Sequence, residues 1–210
     1  MKKIQNIRHN YNLNQLRSKD LKKSPIDQFK AWFSELGFKS DFNAFTLSTY
    51  SKINGVQSRI VLLKDIQKDG FIFYTNYNSL KAKQMNLNNN VALCFFWPEF
   101  QRQVRVNGLA YKLSNKVSNT YFKQRPRRSQ IAAWVSKQSD IVTSRELLEK
   151  KFHEFEEKFR KKDVLKPNYW GGYKIKPLSM EFWQGRVDRM HDRFLYTKIN
   201  NQWTINRLSP

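Results

Sequence analysis

Three stretches of this sequence concentrate polar and charged side chains within apolar surroundings. The first is Ser58-Arg59-Ile60-Val61-Leu62-Leu63-Lys64, a strand-like run with a cation near each end. A guanidinium fork suits bidentate phosphate binding, and a lysine ammonium adds a point charge. Two strand-end charges resting in solvent would carry the same letters. In the second stretch, Tyr121, Arg125 and Ser129 recur at four-residue intervals, and Lys123, Arg125, Arg127 and Arg128 put four cations within six residues. Hydroxyl and guanidinium groups converging from a helix and its following loop would build a phosphate or oxyanion pocket. A basic loop for RNA has a similar composition. The third, residues 181–194, gathers Trp183, Arg186, Asp188, Arg189, His191, Asp192 and Arg193. If it is extended, alternation places Arg189, His191 and Arg193 on one face. Such a face is costly to bury without anions or acceptors to satisfy it. An exposed charged loop is the alternative.

Other chemistries are excluded. Neither G-x-G-x-x-G nor G-x-x-x-x-G-K-[ST] occurs, so no Rossmann phosphate loop or P-loop is written here. The single cysteine, Cys94, lies in the apolar run 91–96 and reads as a core filler; it permits neither a Cys-based zinc cluster nor an intrachain disulfide. His153-Glu154 lacks the second histidine of a zinc-protease helix, and His9 falls in a polar arm, which leaves His191 as the best-placed histidine and no metal expected. Thirty-nine Lys+Arg against 17 Asp+Glu give +22, which favours anionic partners: nucleic acid, phosphorylated small molecules or a membrane surface. A lysine-rich solvated surface produces the same surplus, so charge selects no function. With 40% hydrophobic residues and 16 Phe, the chain can fill a core, against a disordered reading. No apolar run approaches the ~20 residues of a membrane span, and the basic start lacks a signal-peptide apolar region. A soluble cytoplasmic protein is expected.

The elements that must position these groups are mostly strands. Residues 1–23 are polar, basic and aperiodic, which predicts an arm. A helix follows, with Ser24 as cap, Pro25 at its first position, Gly37 as its stop, and Ile26, Phe29, Trp32, Phe33 and Leu36 on one stripe. Strands are predicted at 44–50 and 59–64 around Asn54-Gly55, then at 71–75 after Asp69-Gly70, with a short helix over 79–87. Strands at 91–97 and 103–113 follow, then helices at 114–123 and at 143–162, the latter opened by a Thr143/Glu146 capping box. The chain ends in strands at 173–175, 180–183, 194–199 and 202–208. In hairpin order these strands make a mainly β (α+β) barrel with peripheral helices, and a single domain over 24–210.

These motifs together resemble the pyridoxamine 5′-phosphate oxidase family. The likeness runs through SRIVLLK, FYTN, FFWPEFQRQVRVNG, RPRRSQIAAWVSKQS, NYWGGYKIKP and the third polar stretch, in order, to Arg207-Leu208-Ser209-Pro210. It implies an FMN-binding split β-barrel homodimer with the flavin at the subunit interface. The implied reaction takes pyridoxamine 5′-phosphate or pyridoxine 5′-phosphate to pyridoxal 5′-phosphate, with O2 reduced to H2O2. By this resemblance the flavin is held by Arg59, Ile60, Val61, Leu62, Leu63, Lys64, Tyr74, Thr75, Lys81, Gln103, Gln138, Ser139, Trp183 and Arg193. Lys64, Tyr121, Arg125 and Ser129 match the substrate-phosphate group. Arg189 and His191 match the pair that holds the pyridine ring and are the candidate catalytic residues. Arg8 and Tyr11 align with an arm that closes over the substrate, although His9-Asn10 departs from its pattern. A second departure is Leu80-Lys81, where the family usually carries Arg-Lys. The resemblance leaves two rivals: a nucleic-acid-binding β-barrel using Arg127 and Arg128, and a flavin oxidoreductase of the same barrel with another substrate. It implies neither nucleic acid nor membrane as a partner.

Overall fold

The computed structural model describes residues 3–7, 10–37 and 41–210. Helix α1 (Pro25–Glu35) starts where expected, with Ser24 Oγ accepting the Asp27 N–H at 3.4 Å. The hairpin of β1 (Ala44–Ser51) and β2 (Gly55–Leu62) turns through Gly55, whose φ of 65° suits glycine. Strands β3 (Asp65–Gln67) and β4 (Gly70–Asn76), helix α2 (Leu80–Leu87), and strands β5 (Asn90–Trp97) and β6 (Arg102–Lys112) follow. Helices α3 (Asn115–Gln124), α4 (Arg127–Val135) and α5 (Arg145–Phe159) precede β7 (Trp170–Gln184), β8 (Asp192–Ile199) and β9 (Gln202–Leu208).

Pairing among the described strands is antiparallel, in the order β2-β1-β5-β6-β7-β4-β3, with β8 on β7 and β9 beyond it. Strand β7 organises the sheet. Its Tyr173–Gln184 stretch lies against β6, while its other edge is divided between β4, at 170–175, and β8, at 179–184. Pro177 sits between those two partners, opposite the register shift at Asn107/Gly108. Proline has no N–H to donate, so the ladder breaks there at little cost and the sheet forks. Phe29 of α1 fills the interior, its ring centroid 4.8 Å from both Phe71 and Phe95. A second cluster holds α3 and α4 to β7 through Phe122, Ile131 and Trp170, and Phe152, Phe155 and Phe159 of α5 pack onto it.

Several expectations change. Arg127–Val135, whose start is read as the loop after a helix, form α4, because Ile131 and Ala133 bury a face that the basic residues around them obscured. The two short strands at 173–175 and 180–183 are one strand, and β3 had no sequence signal beyond Ile66. The cap of α5 is Ser144, whose Oγ accepts the Leu147 N–H, rather than Thr143. Residues 187–189 make a 3-10 turn, with Asp188 and Arg189 at φ 55° and 60°, so Arg189 is not on a strand face shared with Arg193. The arm is more than a polar tail. Leu16 is buried, Leu21 packs on the core, and the Tyr196 hydroxyl donates to the Lys22 carbonyl at 2.8 Å. Arg8 and His9 lie outside the described residues.

Candidate active site

A cavity of about 860 Å3 opens between β2, the end of β4, the start of α2, and α3–α4 with the loop after them. Arg59 projects from β2, and its Nη1 donates to Thr49 Oγ1 at 2.6 Å and to the Leu47 carbonyl at 3.2 Å. Lys81 sits in the first turn of α2 and is buried, its Nζ 3.4 Å from Thr75 Oγ1. Thr75 in turn donates to Gln138 Oε1 at 3.2 Å, and the Leu80 N–H donates to Ser139 Oγ at 3.2 Å, which docks the 136–139 loop on this corner. Burial, then repulsion from Arg59, pushes the Lys81 ammonium down to about 8. Burial also lowers Arg59. Two desolvated cations pressed together are destabilised until an anion lies between them.

The same cavity holds a second cationic group. The Arg125 guanidinium lies 4.6 Å over the Trp170 ring and 5.5 Å from that of Phe122, and its buried Nη1 has no hydrogen-bond partner. Burial lowers its pKa. Tyr121 stacks on Tyr74 with centroids 3.9 Å apart, and Tyr74 stacks on Trp170 at 5.4 Å. Burial, reinforced by Tyr121, pushes the Tyr74 phenol up to about 12, and burial likewise raises Tyr121. Both therefore remain neutral hydroxyl groups at neutral pH. Lys64 and Ser129 complete this wall. Arg59, Ile60, Val61, Leu62, Lys64, Tyr74, Thr75, Lys81, Tyr121, Arg125, Ser129, Gln138 and Ser139 thus meet in one cavity. Leu63 does not join them; its side chain is buried in the core. Trp170, Asn76 and Ser136 line the cavity too, and sequence reasoning did not select them. The NYWGG motif was the signal for Trp170.

The remaining predicted residues form a separate group. Gln103 on β6, Trp183 on β7 and Arg193 on β8 are directly opposite one another across three strands, which puts them on one face at one level. Arg193 is held by Glu181, with Nε donating to Oε1 at 2.8 Å, and its Nη1 donates to the Ser209 carbonyl. The His191 ring lies 4.7 Å from that of Trp183, and its Nδ1 accepts the Arg186 N–H at 3.1 Å. Burial, then Arg189 and Arg193, lowers its pKa, so the ring is neutral at pH 7 with its proton on Nε2. None of Gln103, Trp183, Arg189, His191 and Arg193 lines the cavity. The cations of the RNA-loop reading are engaged within the chain: Arg127 donates to the Phe159 and Lys162 carbonyls, and Arg128 pairs with Glu156 at 2.9 Å.

Residues 35–159 match the family described as pyridoxamine 5′-phosphate oxidase, and residues 170–210 match the pyridoxine 5′-phosphate oxidase C-terminal dimerisation region. The chain belongs to the pyridoxamine 5′-phosphate oxidase family. It is an oxidoreductase by that membership. A pyridoxine/pyridoxamine 5′-phosphate oxidase of Vibrio campbellii is 44% identical over 209 residues, covering 99% of each chain. One from Aliarcobacter butzleri is 46% identical over 210 residues, again covering 99% of each. Among solved structures, PhzG from Burkholderia lata, crystallised with tetrahydrophenazine-1-carboxylic acid, has a TM-score of 0.88 and 25% identity, covering 95% of this chain and all of that one. The forked antiparallel sheet is the split β-barrel of this family, with its helices outside.

Proposed function

We propose that this chain binds FMN and oxidises pyridoxamine 5′-phosphate or pyridoxine 5′-phosphate to pyridoxal 5′-phosphate, passing the electrons to O2 to give H2O2, with water supplying the aldehyde oxygen and ammonia leaving when the substrate is the amine. The observation that carries the reading is one cavity with two cation groups, each electrostatically unsatisfied: Arg59 beside Lys81, and Arg125 with its orphaned Nη1. One group fits the phosphate of FMN, and the other fits a second, substrate phosphate. FMN supplies the two-electron acceptor when bound. The chain's own residues bind and orient. Arg59 and Lys81, with Thr75, Gln138 and Ser139 around them, hold the flavin; Lys64, Tyr121, Arg125 and Ser129 hold the substrate phosphate. Arg189 orients the pyridine ring, and His191 offers its Nε2 proton as a hydrogen-bond donor.

Because the Trp183–His191 group stands outside the cavity, a second copy of the chain supplies it, making each site a shared one in a homodimer. The match to a dimerisation region supports this reading. So do the exposed apolar side chains of Ile60, at 64% exposure, and Phe96, at 52%. Residues 1–23 act as the arm over the substrate, and 24–210 form the single catalytic domain. The likeness to PhzG favours one rival, a different substrate on the same barrel. The second cationic group speaks against it. Purified protein should be yellow and, given pyridoxamine 5′-phosphate and air, should form pyridoxal 5′-phosphate and peroxide in equal amounts. A colourless protein, or a flavoprotein inert to both phosphorylated substrates, would refute the assignment.

A further inference from the structure

The arm reaches the His191 group by a specific fastening. The Tyr11 ring meets that of Trp183 edge-on, with centroids 5.5 Å apart, and that of His191 at 5.6 Å. Beneath it is Gly185, where an added Cβ would lie 2.6 Å from Tyr11 Cδ1 and 2.8 Å from its Cβ and Cγ. The three heavy atoms nearest to a Cβ there thus all belong to Tyr11, and Gly185 needs no left-handed backbone. Glycine is thus required at 185 by the seated tyrosine rather than by the chain's own conformation.

Gln101 connects this seat to the arm. Its backbone carbonyl accepts the Gly185 N–H at 2.8 Å and the Gln184 side-chain amide at 3.2 Å. Its side chain brackets Tyr11 from both sides, with Oε1 accepting the Leu13 N–H at 3.0 Å and Nε2 donating to the Asn10 carbonyl at 3.4 Å. Farther along, Asp192 Oδ2 accepts the Leu16 N–H at 3.1 Å.

We propose that Gln101 and Gly185 are positioning residues that seat Tyr11 against the His191 ring, so that the arm is ordered at the substrate half-site before substrate arrives. The consequence for binding rests on the reading that His191 faces substrate. An arm already folded there costs no ordering free energy on binding, whereas a loose one would weaken affinity by that amount.

The test uses the FMN-loaded protein and the variants Gly185→Ala, Gln101→Ala, Tyr11→Gly and Gly185→Ala/Tyr11→Gly. The first readout is tryptic cleavage at Arg17, Lys19, Lys22 and Lys23. Gly185→Ala and Gln101→Ala should each speed it roughly five- to tenfold, the weight of one aromatic contact or a pair of hydrogen bonds. The second is kinetic: KM for pyridoxamine 5′-phosphate should rise by a similar roughly five- to tenfold factor in Gly185→Ala, with kcat changed less. In the Tyr11→Gly background, Gly185→Ala should add nothing, because the ring and the Cβ that it would intrude upon are both gone. Equal effects of Gly185→Ala in both backgrounds, or unchanged cleavage in both Gly185→Ala and Gln101→Ala, would overturn the proposal. If the unmutated protein fails to oxidise pyridoxamine 5′-phosphate, the functional reading falls, and the cleavage rates still judge the seating.

Discussion

Replacing Arg125 with methionine should weaken substrate binding without weakening the fold. In the ligand-free protein the guanidinium is half-buried, its pKa is depressed by desolvation, and Nη1 is left without a partner. An unsatisfied buried donor costs about 1–3 kcal/mol. Methionine retains an apolar stem against Trp170 and Phe122 and removes that cost. It forfeits the cation–π contact with Trp170, about 0.5–2 kcal/mol. The two terms nearly cancel, so thermal stability of the ligand-free protein should be unchanged or slightly higher. Binding shifts the other way. A charged hydrogen bond to phosphate is worth about 1.5–3 kcal/mol, and its loss should raise KM for pyridoxamine 5′-phosphate roughly ten- to a hundredfold. Flavin affinity, set at the Arg59–Lys81 corner, should stay the same. Thermal melts, flavin fluorescence titration and initial rates measure the three quantities. A variant that melts several degrees lower yet keeps its KM would mean that Arg125 is a packing residue, and the substrate-phosphate assignment would be lost.

Three other outcomes are expected. Leu80→Arg restores a guanidinium to the cavity wall beside Lys81 and should tighten FMN roughly tenfold or more; unchanged or weaker affinity by titration refutes this. Lys81 loses its proton in the ligand-free protein near pH 8, so FMN affinity should fall as pH rises above that value, and Lys81→Met should abolish the step. Over the same window the stability of the ligand-free protein should rise, because between about pH 8 and 10.5 the unfolded chain holds a proton that the folded chain does not; a melting temperature falling through that range contradicts the assignment. Finally, Arg125→Met and Arg189→Ala chains, each nearly inactive at substrate concentrations well below KM, should recover about a quarter of wild-type activity there when unfolded and refolded together, since half the dimers are mixed and each has one intact site. No recovery would place both residues in a site built from one chain.

The order of elements was largely legible. Alternating and striped apolar residues mark most of the strands and the helices α1 and α5, and Asn54-Gly55 marks its hairpin, because these signals are local. What escaped was set by neighbours. Helix α4 lay hidden because its basic residues obscured a buried face, which shows only once α3 and β7 are beside it. Strand β7 looked like two strands because Pro177 interrupts its pattern, yet the fork in the sheet makes that proline harmless.

The site divides in the same way. Residue types alone identified two cation groups fit for phosphates, because Arg, Lys and Tyr carry their chemistry wherever they sit, and the likeness to a known family assigned roles to them. Three-dimensional packing decided which groups share a cavity. It brought Arg59, Lys81 and Arg125 together from distant parts of the chain and turned Leu63 into the core. It also aligned Gln103, Trp183 and Arg193 across three strands and laid Tyr11 on Gly185. Burial and charge proximity, which no linear spacing encodes, set the protonation of Lys81 and His191.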